Sequence, residues 1–205
     1  MTAGSAPDLN ATRPPFPVQV RLPDDPSWLH LDTRPMSWVR SARRAVDDRL
    51  AEHHPTPAER RELLGHIGDV VAAAQQAEAV VSMVQIARRA DGGVNVAGLH
   101  IAWYDSSPEL ASLATVRLAL PRSGTVEQHR TATGRLLLHR DAQWTTPPGR
   151  SDRVRLTSLQ AFLPLLGRCW TAVVATACAH ADQIDTLHDL VLDVAGSIAE
   201  PGEPT

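Results

Sequence analysis

A run of small and β-branched residues at positions 168–178 predicts a strand that is buried on both faces. After a polar break, the apolar side chains of residues 183–198 recur at the three-and-four spacing of one helix face. We expect Asp182 to cap this helix. We expect this strand to lie in the centre of a sheet and the helix to fold back over it. The remaining strands and helices of the core would then come from the upstream part of the chain.

The first half of the chain begins with strand patterns and continues with helix patterns. Residues 16–22 alternate as a half-buried edge strand does, and residues 27–31 predict a second short extended piece. Two helices are predicted next, at residues 37–52 and 56–78. A capping box opens the second helix, with a threonine before a proline and a glutamate three positions after the threonine.

The second half of the chain is richer in strand patterns. Residues 80–87 and 94–104 predict a hairpin around Asp91-Gly92-Gly93. A short helix is predicted next, with Ser107 as its cap and a proline in its first position. Two more strands precede the central one, at residues 134–144 and 154–163, with a turn at residues 147–149.

The order of these elements predicts the fold class. Strands grouped in hairpins favour a mainly antiparallel sheet, and helices well separated in sequence can cover both of its faces. We therefore expect an α+β fold, a three-layer α/β/α sandwich. It forms a single domain over residues 16–199, between a disordered N-terminal tail at residues 1–15 and a C-terminal tail at residues 200–205.

Composition narrows the possible functions. The net charge of −3 over 205 residues does not favour nucleic-acid binding, which usually requires a basic domain. All basic side chains other than histidine are arginines, so Schiff-base chemistry and a phosphate-loop lysine are excluded. This usage, together with abundant alanine, is typical of a GC-rich bacterial genome.

The chain has no pattern of a secreted or membrane-inserted protein. Its first residues lack a basic region followed by an apolar stretch, and no apolar run is long enough to span a bilayer. Cys169 and Cys178 lie too far apart along one predicted strand to form a disulfide, so we expect reduced thiols. These features predict a cytoplasmic protein without membrane insertion.

No familiar catalytic, cofactor or metal motif occurs, and we predict none of these sites. His180 and His188 lie near three aspartates around the last helix, but solvated charge explains this pattern better than a divalent metal. His53-His54 fits the dipole at a helix end better than a metal site.

Aromatic residues provide the candidate contact sites. Trp144 precedes a proline-rich loop and is the best candidate for an exposed contact residue. Trp103, Tyr104 and Asp105 lie together at a strand end, with His100 on the same strand. These residues fit either a pocket wall or an aromatic anchor of the strand end.

Three stretches together resemble a known family. They are the first strand leading into Leu22-Pro23-Asp24-Asp25-Pro26-Ser27-Trp28, the late strands from Ser158-Leu159-Gln160-Ala161-Phe162, and the closing strand and helix through Cys169-Trp170-Thr171. In element order over residues 16–199, the chain is similar to the PsbP-like (Mog-type) α/β/α sandwich family, and most similar to its small uncharacterised actinobacterial members. The resemblance implies a binding or assembly protein and carries over no functional residue.

These observations predict a non-catalytic protein-binding or assembly module of a bacterial, actinobacterial, cytoplasmic complex. Its partner would be another protein or a second copy of the chain. The alternative is a small-molecule-binding protein, or an enzyme without a known motif, with a cleft near Trp103, Tyr104 and Asp105.

Overall fold

The computed structural model describes residues 13–34, 37–50, 55–88, 94–146 and 153–201. Several predicted features lie outside the described residues: His53-His54, the turns at residues 91–93 and 147–149, and most of both predicted tails.

Seven strands and four α-helices lie within the described ranges. In chain order they are β1 (Trp28–His30), α1 (Trp38–Leu50), α2 (Pro57–Gln76), β2 (Val81–Arg88), β3 (Val94–Asp105), α3 (Leu113–Ala119), β4 (Thr125–Arg130), β5 (Arg135–Thr145), β6 (Val154–Pro164), β7 (Trp170–Cys178) and α4 (Ile184–Gly196).

All seven strands form one antiparallel sheet. Their spatial order is β1-β2-β3-β7-β6-β5-β4, so β7 is the middle strand, as its composition predicts. Residues alternate between the two faces, and helices cover both. The predicted α+β fold with a mainly antiparallel sheet covered on both faces is therefore confirmed.

Each face of the sheet has its own core. The larger core lies against α4 and includes Leu99, Ile101, Leu138, Leu159, Val174 and Val191. The smaller core lies against α1 and α2 and includes Val46, Leu63, Ile67, Val71, Val84 and Ile86. The helices of the smaller core cover the β1–β3 side of their face.

The predicted start of α2 is confirmed at the level of individual hydrogen bonds. The backbone N–H of Glu59 donates to the Thr56 hydroxyl over 3.2 Å, and the Glu59 carboxylate accepts from the Thr56 N–H over 2.7 Å. Cys169 and Cys178 are not joined in a disulfide, as predicted.

The predicted strand at residues 16–22 is wrong as a member of the sheet. Its alternate apolar side chains pack on the larger core as expected. Within the described ranges, however, its backbone forms a single isolated bridge, in which Gln19 and Ala199 exchange hydrogen bonds of 2.8 and 3.1 Å. The segment therefore lies beside the residues that follow α4 and is not a strand of the sheet. The edge strand next to β2 is β1.

Two predicted caps are also wrong. The Ser107 hydroxyl donates to the Asp105 carboxylate, and α3 begins later, where the Ser112 side chain accepts from the Thr115 N–H over 3.2 Å. Asp182 lies in a 3₁₀ turn before α4, whose first residue follows Gln183 without a side-chain cap.

Strand β4 is absent from the sequence-based prediction, which has three consecutive strands where the structure has four. Its sequence, Thr-Val-Glu-Gln-His-Arg, is largely polar, and most of its side chains are exposed. An edge strand with so little burial lacks the apolar alternation from which strands are recognised.

Candidate functional site

A cavity of about 450 Å³ lies on the face of the sheet that carries α1 and α2. Helix α2 forms one wall, and strands β3, β7 and β6 form the floor. The cavity occupies the part of this face next to the helices, where small side chains of β3 and β7 leave space. Its volume is within the usual range for small-molecule sites.

Strand register explains why the floor is hollow. Gly98, Ala177 and Ser158 are direct partners across β3, β7 and β6, and they form one row of small residues. The next row contains Ala175, which lies between His100 and Gln160. On the opposite face, the same strands carry large side chains, so only this face is open.

The position of α2 depends on a glycine. A Cβ added at Gly98 would lie 2.7 Å from Val70 Cγ1 of α2, closer than real Cβ contacts occur. The missing side chain thus lets the helix approach β3 closely, and this approach sets the height of the cavity wall.

His100 is a buried titratable side chain on the floor, with 8% of its surface exposed. Its Nδ1 lies 3.1 Å from the Ser82 hydroxyl on the neighbouring strand. Burial lowers the pKa of His100 to about 4, so the ring is neutral at pH 7. Since Ser82 occupies Nδ1, the other ring nitrogen is left to bond a bound molecule.

The lining of the cavity disfavours anionic molecules. None of the lining residues within the described ranges is an arginine, and the chain contains no lysine. Asp69 contributes a carboxylate from α2, while Ser158 and Gln160 add neutral polar groups on the floor. An anion would therefore find no positive partner among these side chains.

The structure brings two of the four sequence-predicted pocket residues together. His100 and Tyr104 both line the cavity from β3. Trp103 lies on the opposite face and packs against the larger core. The exposed Asp105 accepts hydrogen bonds from the hydroxyl and the N–H of Ser107, and these hold its pKa below the usual value.

Trp144, the candidate contact residue, has 61% of its surface exposed. It precedes Thr145, which lines the cavity, so the alternation of β5 places the indole on the other face. Sequence reasoning missed the cavity-lining residues Gly98, Ala175 and Ala177, because small residues carry no chemical signal of their own.

A serine, a histidine and an aspartate meet beside β5, but not in the arrangement of a nucleophile. His139 Nε2 lies 2.8 Å from the backbone carbonyl of Ser123, whereas the Ser123 hydroxyl donates to Asp141 over 3.1 Å. Among the described residues, the other ring nitrogen of His139 has no hydrogen-bond partner, so the histidine contacts no hydroxyl there that it could activate.

One cluster of metal-ligating side chains occurs among the described residues. Glu127, His129 and His188 come together on the face of the sheet that carries α4. The described helices include none that is both long and apolar enough to cross a bilayer.

Comparison with known proteins gives little further information. No protein-family profile matches this chain, and no curated protein matches it. Among solved structures, LpqN of Mycobacterium tuberculosis, described as involved in cell envelope biogenesis, is similar over 95% of this chain and 88% of its own, with 8% identity and a TM-score of 0.43. At that TM-score the likeness transfers neither a fold nor a function. Membership of the PsbP-like family stays a prediction.

Proposed function

We propose that this protein binds a small, uncharged, largely apolar molecule in the cavity between α2 and the sheet, without transforming it. The observation that carries the proposal is the row of small residues on β3 and β7, which leaves about 450 Å³ open beside a fully built core. A cleft of this size with a largely apolar lining and a few polar groups is typical of small-molecule binding sites.

Polar groups on the floor would orient such a molecule. The neutral ring of His100 can exchange one hydrogen bond with it, and Gln160 lies two strands away, at about 10 Å. The ligand class that fits is therefore an apolar body with one or two neutral hydrogen-bonding groups, such as a long-chain alcohol.

Binding rather than catalysis is proposed because the hydroxyl paired with His100 belongs to Ser82, which is buried and is not among the described residues that line the cavity. Its floor offers one neutral histidine, whose Nδ1 is already paired with Ser82. We place this activity in the cytoplasm, as the sequence predicts, and fractionation of native cells would test the location.

The test uses Nile red, an uncharged apolar dye, and two competitors of equal length, 1-decanol and decanoate. We expect saturable binding of the dye and displacement by the alcohol, with little displacement by the carboxylate. Equal displacement by decanoate would contradict the preference for uncharged molecules.

Variants locate the dye. Ala175→Leu and Ala177→Leu fill the floor and should weaken dye binding by about tenfold or more. Ala72→Leu makes the same change at an exposed position of α2 and serves as the matched control. Circular dichroism establishes that each variant folds. Unchanged dye binding by both filled variants would overturn the proposal.

A protein-binding or assembly role is the second candidate, and a specific surface favours it. Leu166 and Leu110 are 92% and 61% exposed. They lie on neighbouring segments, since the Ala111 N–H donates to the Arg168 carbonyl over 2.8 Å. Exposed leucines at adjacent turns are suited to contact with a partner or a second copy of the chain. The exposed Trp144 lies at the opposite end of β6 and would form a separate contact.

Light scattering of the purified protein, with and without capture from its native lysate, tests this second candidate. A stable dimer or a defined complex that is lost in the Leu110→Ser/Leu166→Ser double variant would support it. A monomer that captures no partner would leave ligand binding as the only function proposed.

A further inference from the structure

The chain brings two histidines and a glutamate from distant elements to one place on the surface. Glu127 and His129 are two apart on the edge strand β4, and their register partners on β5, Leu138 and Leu136, face the core under α4. Both side chains therefore project on the α4 side, where His188 meets them.

The distances between these side chains suit a metal ion. One ligand atom from each residue lies within 4.8 Å of those of the other two. His129 Nε2 and the Glu127 carboxylate are already 3.5 Å apart. Ligands at zinc bond lengths in a tetrahedral site are separated by about 3.4 Å. Side-chain rotation would therefore have to bring His188 closer to the other two ligands by at most about 1.4 Å.

The ring nitrogen of His129 that would bind a metal has no hydrogen-bond partner among the described residues. This nitrogen, Nε2, is buried. The imidazole stands edge-on to that of His188, with ring centroids 5.9 Å apart. A buried ring nitrogen beside a second imidazole and a carboxylate is costly unless something bonds it.

His188 is oriented as a metal-ligating histidine commonly is. Its Nδ1 lies 3.0 Å from the Asp189 carboxylate, which leaves Nε2 as the ring nitrogen for a metal. A carboxylate on the far nitrogen of a ligating histidine fixes the ring and raises its basicity. The other two side chains of the cluster, Glu127 and His129, come from β4 and not from the aspartates around α4.

The backbone beneath the cluster is held firmly. A Cβ added at Gly196, at the end of α4, would lie 3.3 Å from Thr131 Cγ2, just beyond β4. This close approach of the helix to the end of the strand fixes the distance between the two elements that carry the three side chains.

We propose that Glu127, His129 and His188 form a zinc-binding site that links the edge strand β4 to α4, with Asp189 positioning His188. Two imidazoles and one carboxylate provide three ligands of a tetrahedral zinc site and leave the fourth position to water. The site lies on the opposite face from the cavity, so it does not depend on the ligand proposed there.

The test is calorimetric titration of untagged protein with zinc chloride, in a background in which His53 and His54 are replaced by alanine so that this adjacent pair cannot contribute. We expect one zinc per chain. His129→Ala and His188→Ala should each weaken binding by at least about tenfold, and Asp189→Asn by about tenfold. His30→Ala removes an exposed histidine elsewhere and should change nothing.

A second readout does not depend on calorimetry. Zinc should raise the melting temperature of the parent protein and of His30→Ala, but not that of His188→Ala, because the metal joins two elements that otherwise separate on unfolding. Glu127→Gln, which keeps the shape of the side chain, should also weaken binding. Absence of binding at millimolar zinc, or equal affinity in His129→Ala and the parent, would overturn the proposal.

Discussion

The imidazole of His100 and the hydroxyl of Ser82 lie 3.1 Å apart as direct partners across β3 and β2. Both side chains are buried, on the face of the sheet that carries the cavity. The Ser82 hydroxyl provides a hydrogen-bond partner for Nδ1 of His100, while most of the imidazole is shielded from water. This arrangement makes the protein's stability sensitive to acid.

Burial lowers the pKa of His100 from its ordinary 6.5 to about 4. Between pH 6.5 and about 4, His100 is protonated in the unfolded chain but stays neutral in the folded chain. The free energy of unfolding therefore decreases as the pH falls through this range. The loss reaches about 3 kcal/mol near pH 4, and above pH 6.5 this group adds no pH dependence. Urea unfolding of the parent and of His100→Gln between pH 4 and 8 measures the difference. Parallel curves for the two proteins would contradict it.

Two glycines, one where β3 meets α2 and one on the exposed side of α2, should respond in opposite directions to replacement by alanine. Gly98→Ala drives a methyl group into Val70, and we expect it to lower the free energy of unfolding by about 1–3 kcal/mol. Gly65→Ala adds a methyl group to α2 where nothing lies within 4 Å, and it should raise stability by about 0.5–1 kcal/mol. Chemical denaturation compares both. An equal effect of the two substitutions would show that the approach of α2 to β3 is not tight.

The capping box of α2 should contribute measurably to stability. Thr56→Ala removes the oxygen that accepts from the Glu59 N–H, and we expect a loss of about 1 kcal/mol. Thr56→Ser keeps that oxygen and is the matched control. The measurement is the midpoint of urea unfolding. A Thr56→Ala protein as stable as Thr56→Ser would show that the cap is dispensable.

The elements that could be predicted from sequence are those with local signals. The start of α2 is encoded in four consecutive residues, and β7 is encoded in a continuous apolar run. Strand β4 was missed because its polar side chains pair only at the edge of the sheet. The position of β4 is determined by its pairing with β5, and the local sequence of β4 carries no signal for that pairing.

The cavity could not be predicted for a different reason. Ala175 and Ala177 are compatible with a tightly packed sheet face as well as with the floor of a cavity. The cavity forms because the strand register places Gly98 and Ser158 beside Ala177. Trp103 and Tyr104 illustrate the converse. Consecutive residues of a strand face opposite sides, so this pair could not line one cleft together.

The zinc site depends on elements that are distant in sequence. His129 and His188 lie on a strand and a helix that only the folded sheet brings together. Neither histidine has a metal motif around it, and the missed strand β4 carries two of the three ligands. A pattern search along the chain therefore has no signal for this site.

The place of β7 in the sheet affects how the protein is made. This strand joins β3 to β6, yet it leaves the ribosome after both of them. Until then the nascent chain holds two separate groups of strands, each with an unpaired edge that could pair with another chain. The cavity floor also acquires its middle strand only at this point. A chain terminated before β7 would therefore be a candidate for chaperone capture and degradation, even though most of its length had been synthesised.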